Sequence, residues 1–153
     1  MEPAPPDDQP ELLQLIYASA SNVEFAEAEL IELLQKSRRK NVQVDISGVL
    51  LYHAGAFVQV IEGPPAEVER LFASIKTDAR HGDITLLDRR RVEERSFADW
   101  AMGFVRPTKA DFERVDGLLW FFDDDNLAAR WTNDPDRARC VLLAFRDGLY
   151  RRA

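Results

Sequence analysis

Five β-prone runs and two helix-patterned segments alternate along residues 12–105 in the order β-α-β-β-α-β-β, and few folds accept that order. The first run, Leu12 to Ala18, is short and apolar and ends in small residues, as a buried strand does. Ser21-Asn22 supplies helix-capping chemistry ahead of a helix over Ala26 to Lys40, in which Ala26, Leu30, Leu33, Leu34 and Ser37 recur at helical spacing. Lys36 to Lys40 puts positive charge at that helix's expected end. Ile46 to Tyr52 and Phe57 to Glu62 form a hairpin through His53-Ala54-Gly55. Gly63-Pro64-Pro65 breaks the strand, and Ala66 to Lys76 carries Val68, Leu71, Phe72 and Ile75 on one side of a second helix. Ile84 to Val92 reads as a fourth strand and Trp100 to Val105 as a fifth. The pattern is α+β and ferredoxin-like with one extra strand, both helices covering one sheet face.

The ends read differently. Residues 1–10 are Pro- and Asp-rich, with no apolar period, and suit a flexible tail. That leaves one domain over 11–106 and a short helical appendage over 107–153, where Asp134-Pro135 starts the last helix. The appendage is too small to hold its own core, so it is expected on the open sheet face or against another chain.

Charge and cysteine content exclude several functions. A net charge of −7 argues against nucleic-acid binding, which needs a basic face. A single cysteine, Cys140, rules out an internal disulfide or a thiolate zinc site and suits a reducing cytoplasm. The start lacks the plan of a signal peptide, and no apolar run reaches the roughly 18–20 residues that span a bilayer, so no membrane is expected. His53 and His81 are too few for a metal or catalytic site, and Asp123-Asp124-Asp125 lacks the Gly and Glu of a calcium loop. Arg89-Arg90-Arg91 reads as a solvated strand face.

Alternation points to the chemistry. Leu13, Leu15 and Tyr17 share one strand face, as do Phe57, Gln59 and Ile61, and Trp100, Met102 and Phe104. If these are the helix-covered faces, a hydroxyl and an amide lie inside an apolar layer. Unpartnered, each would cost roughly 1–3 kcal/mol. They must satisfy each other or a ligand's polar edge. The plainer alternatives are a core tyrosine at Tyr17, a solvent-facing Gln59, a left-handed helix C-cap at Asn41, an ordinary helical Ser37, and Trp100 and Met102 as core.

The separated motifs together resemble the BLUF photoreceptor domain. They are Leu15-Ile16-Tyr17-Ala18-Ser19, Ser37 to Asn41, Ile46 to Tyr52, Phe57-Val58-Gln59-Val60-Ile61-Glu62-Gly63-Pro64, Asp78-Ala79-Arg80-His81 and Phe97 to Phe104. The resemblance covers Leu12 to Arg106 and implies a non-covalent flavin between the two helices, usually FAD, with FMN or riboflavin as alternatives. By resemblance, Tyr17 is the electron donor and Gln59 the amide that switches between it and the flavin. Asn41 grips the flavin's carbonyl and imide edge, with Ser37 nearby. Arg80 and His81 lie toward the ribityl and phosphate end, while Phe57, Leu33 and Ile75 line the ring. Trp100 and Met102 are last-strand residues that change environment on switching. The chain departs from many relatives in carrying Lys40, where they have Asn or His. With no output domain recognisable past Arg106, the expected mode is the short single-domain one. It acts through a separate effector protein or a homodimer or larger homo-oligomer, and not as an enzyme. The competing readings are an acylphosphatase-like enzyme and a flavin-free interaction module of the same shape.

Overall fold

The computed structural model describes residues 11–20, 26–53, 56–77, 84–98, 101–105, 109–110 and 135–144. Its elements are β1 (Leu12–Ala20), α1 (Glu27–Val44), β2 (Ser47–His53), β3 (Ala56–Gly63), α2 (Pro65–Lys76), β4 (Ile84–Val92), β5 (Gly103–Val105) and α3 (Pro135–Ala144). They form one five-stranded sheet in the order β4-β1-β3-β2-β5, antiparallel except for the parallel β2–β5 pair. The β-α-β-β-α-β-β order and the ferredoxin-like fold are therefore as the sequence implies.

Both faces of the central strands are buried, which explains their nearly unbroken apolar runs. Leu13, Leu15 and Tyr17 of β1 join Phe57 and Ile61 of β3, Leu30 and Leu34 of α1, and Val68 and Phe72 of α2 in one core. The alternate residues Ile16, Val58 and Val60 face the other way and are equally buried. On that second face sits α3, with Val141 and Leu142 buried. Its Arg139 donates to the Gln14 carbonyl oxygen and pairs with Asp88 of β4. Helix α3 thus packs on the open sheet face, and Pro135 takes the first helical position, where its missing N–H costs nothing.

Several boundaries differ from the sequence reading. Helix α1 runs past Lys40 to Val44, and Asp45, not Asn41, takes the left-handed conformation at its end (φ 62°). The basic run therefore lies a turn short of the C-terminus, and no basic residue occupies the last turn. At the other end Ala26 offers no capping side chain, and its N–H is taken by the Glu29 carboxylate at 3.0 Å. Ser21-Asn22 lies outside the described residues. The fifth strand is three residues long, not six.

A second buried polar group pins the loop between β4 and β5. Glu62, fully buried, accepts from Gln14 Nε2 (2.9 Å), Ser47 Oγ (3.1 Å) and the backbone N–H groups of Ser96 (3.0 Å) and Phe97 (2.6 Å). Arg95 in the same loop donates to Ser47 Oγ at 2.9 Å and to the Asp45 carbonyl at 2.7 Å. Glu62→Ala would strip these donors of their acceptor inside the protein. A loss of at least about 3 kcal/mol in urea unfolding is expected, since each stranded buried donor costs about 1–3 kcal/mol. A loss below 1 kcal/mol would show that the carboxylate does not hold the loop.

Candidate functional site

The site is built on the strand pair at the middle of the sheet. The antiparallel register sets Tyr17 directly opposite Gln59, and Gln59 in turn opposite Leu50 of β2. Direct neighbours on one face of such a ladder are close enough for side chains to bond. The Tyr17 hydroxyl donates to Gln59 Oε1. Tyr17 is 1% exposed, its ring packed against Phe72 with centroids 5.3 Å apart. Burial pushes its phenol well above the ordinary tyrosine value, because the anion would lose its hydration. Tyr17 therefore keeps its proton, and it is Gln59 Oε1 that accepts its hydrogen bond here. The other end of the amide is fixed in consequence: Gln59 Nε2 points at Met102 Sδ, 3.2 Å away.

Above this floor, α1 and α2 part to leave a cleft of about 310 Å³. Leu30, Leu33 and Leu34 of α1, Leu71 and Ile75 of α2, and Phe57 of β3 give it apolar walls, while Gln59, Asn41 and Ser37 supply polar groups. Flat apolar walls with a few convergent donors and acceptors suit a planar heteroaromatic group. A larger groove of about 1020 Å³, near Glu11, Asp45 and Arg95, has charged residues of both signs and touches none of these groups.

Of the residues singled out from sequence, Leu33, Ser37, Asn41, Phe57, Gln59, Ile75 and Met102 all line the cleft. Tyr17 lies behind Gln59 and meets the cleft only through it. Arg80, His81 and Trp100 lie outside the described residues. Asn41 is 2% exposed and sits inside α1, so the C-cap alternative is overturned. Its Nδ2 donates to the Ala101 carbonyl at 2.7 Å. Among the described residues, its Oδ1 accepts nothing, which leaves an acceptor for a ligand N–H. Met102 is not in the strand but one residue before it. The physical reason is that the carbonyls of Ala101 and Met102 are taken by Asn41 and by Arg38 Nε (2.8 Å), not by a neighbouring strand.

Sequence reasoning missed Lys36 and Ser74, which also line the cleft, and gave Lys40 no place in it. The 36-40 spacing, beside Leu33 and Ser37, is the signal that could have found the lysines. The Arg38 contact had no comparable signal, because a charged residue on a helix usually faces solvent.

Comparison with known proteins covers the same stretch of chain. A family model described as sensors of blue-light using FAD matches residues 12–103. The photoactivated adenylate cyclase subunit beta of Euglena longa is 33% identical over 92 residues, which are 60% of this chain and 11% of that protein. The blue light- and temperature-regulated antirepressor BluF of Escherichia coli (strain K12) is 33% identical over 143 residues, 91% of this chain and 35% of that protein. This chain thus spans a minor part of both. Among solved structures, the dark state of the BLUF protein BlrB aligns with a TM-score of 0.71 at 29% identity, over 89% of this chain and 98% of that one. The ground state of BlsA aligns at 0.71 and 29% identity, over 86% and 87% of the two chains.

The elevated Tyr17 value has a consequence for stability. A phenol whose folded value is raised contributes stability that is complete below the unfolded value, about 10, and is lost as pH rises above it. The urea midpoint is expected to fall between pH 9.5 and 11, and to fall less steeply in Tyr17→Phe. Equal slopes in the two proteins would mean that Tyr17 titrates as an exposed tyrosine.

Proposed function

This chain belongs to the BLUF family of blue-light sensors using FAD, and we propose that its sensing rests on the Tyr17–Gln59 pair at the floor of the α1–α2 cleft. Bound flavin supplies the absorption of blue light and an excited state that accepts an electron. Everything else is the work of the chain's own side chains.

The hydrogen bond from Tyr17 to Gln59 Oε1 is the observation that carries this reading. Tyr17 keeps its proton at the phenol oxygen in the dark and is a redox-active side chain bonded directly to the amide of the cleft floor. Gln59 holds an acceptor and a donor at opposite ends of one small group. Rotation or tautomerisation of the amide exchanges them without moving the backbone. The electron and proton that Tyr17 would yield to the excited flavin would both come back to it, leaving the amide in its new arrangement. Residue 59 would then bond the ring's carbonyl edge more strongly, moving absorption to the red. Asn41 Oδ1 would accept from the ring's imide N–H, and Leu33, Phe57 and Ile75, which line the cleft, would hold the ring's faces and exclude water. Ser37 lies along the same helix face as Asn41.

Lys36 and Lys40 are the charged residues among the described lining of the cleft, in a chain whose net charge is −7. They stand four apart and so share a helix side. This favours an anionic flavin, FAD or FMN, over riboflavin.

The output is a partner or an assembly. One rearranged hydrogen bond is worth about 0.5–1.5 kcal/mol, enough to move a two-state population by roughly 2- to 13-fold but not to unfold a domain. That scale suits retuning of an interface with a separate effector protein or between copies of this chain. It makes the chain a sensor and not an enzyme. The free cysteine and the lack of any helix among the described residues able to cross a membrane support a cytoplasmic setting.

Purified protein is expected to be yellow and to show a small, reversible red shift after blue light, with Tyr17→Phe and Gln59→Leu keeping flavin but losing the shift. A colourless preparation that takes up no FAD would leave only a flavin-free interaction module. In titrations, FMN is expected to bind roughly 2- to 30-fold tighter than riboflavin, the range for two exposed ion pairs. That margin should vanish in Lys36→Gln/Lys40→Gln and shrink with salt. Equal affinities in the parent protein would show that the lysines do not read the phosphate.

A further inference from the structure

The last strand is held weakly by the sheet and firmly by a helix. Among the described residues, β5 is an edge strand of three residues, paired with β2 through Val49↔Gly103, Leu50↔Phe104 and Leu51↔Val105. Just before it, two consecutive carbonyls are gripped from α1: Asn41 Nδ2 holds Ala101 O at 2.7 Å and Arg38 Nε holds Met102 O at 2.8 Å. Positions 38 and 41 are three apart, so both side chains leave the helix on one side. A guanidinium donor makes the stronger of the two bonds. Asn41 lines the cleft, but Arg38 does not, so Arg38 is the half of this clamp that the cofactor leaves free.

We propose that Arg38 is a positioning residue of the light switch: by holding the Met102 carbonyl it keeps the Met102 sulfur against the Gln59 amide and thereby limits the lifetime of the rotated amide. This rests on the flavin-switch reading above. In the dark arrangement Gln59 Nε2 donates to Met102 Sδ at 3.2 Å. Once the amide turns, Oε1 faces that sulfur instead, and two acceptors meet. The conflict is relieved if Met102 withdraws. Methionine has rotatable bonds enough to do so, but Met102 is buried at 2% exposure with its backbone clamped. With the clamp intact, relief comes by the amide turning back. With Arg38 removed, the segment ahead of a three-residue strand can yield, and the turned amide persists.

The test uses the full chain loaded with FAD. Arg38→Ala is expected to keep the dark spectrum and flavin content, since the side chain does not line the cleft. Thermal recovery of the dark spectrum should slow by roughly 2- to 13-fold, the scale of one lost hydrogen bond. Arg38→Lys should restore most of the parent rate. Met102→Ala should slow recovery by itself, and adding Arg38→Ala to it should change nothing further, because the two act on the same contact. Amide exchange at Met102 to Val105 should rise in Arg38→Ala, a readout that needs no flavin. An unchanged recovery rate with unchanged exchange, or an equal further slowing in the Met102→Ala background, would overturn the role of Arg38. Loss of the red shift in the parent protein would instead overturn the photoreceptor reading, while the exchange measurement would still decide whether Arg38 holds the segment.

Discussion

One buried hydrogen bond, from the Tyr17 phenol to the Gln59 carbonyl, organises everything above the sheet. It exists because β1 and β3 pair in a register that places these two residues opposite each other, on a face otherwise filled by leucine, isoleucine and phenylalanine. In that layer a lone hydroxyl and a lone amide would each be costly, so each fixes the other. Here the phenol donates, so the amide oxygen turns toward it and the amide nitrogen turns away, to the sulfur of Met102. The polarity of the cleft floor follows from that one bond.

Much of this was readable from residues. Period-two alternation put Tyr17 and Gln59 on the helix-covered faces, and the element order gave the topology that makes their strands neighbours. Leu33, Phe57 and Ile75 were named as lining by resemblance to the family, and all three line the cleft. What alternation could not reveal was who competes for backbone groups. Ala101 and Met102 look like strand residues, yet their carbonyls are taken by Arg38 and Asn41, and the strand starts later. Asn41 resembled a helix end because Asn favours the left-handed region, but Asp45 takes that conformation four residues on. A carboxylate at position 62 carries no local mark of full burial. Its partners come from residues 14, 47, 96 and 97, which only the tertiary fold assembles.

The two faces of the β1–β3 ladder carry two polar pairs, back to back. Tyr17 and Gln59 face the helices α1 and α2. Gln14 and Glu62, three residues along and also paired in register, face α3 and the β4–β5 loop. Gln14 gives its amide hydrogens to Glu62 and its oxygen to Arg139, so the C-terminal helix and the loop that leads to Met102 share one strand residue. Helix α3 is therefore tied to the same pair of strands that forms the floor of the cleft.

The outer margin of the sheet at β4 has its own logic. Arg89, Arg90 and Arg91 follow one another there, and each meets a carboxylate: Glu69 of α2, Asp88 and Asp136, and Glu11 respectively. An uncovered strand margin is a template on which a stranger's backbone can zip up, and bulky charged side chains along it hinder that approach. The opposite margin is only three residues long. Margins of this kind offer little purchase for runaway stacking of sheets.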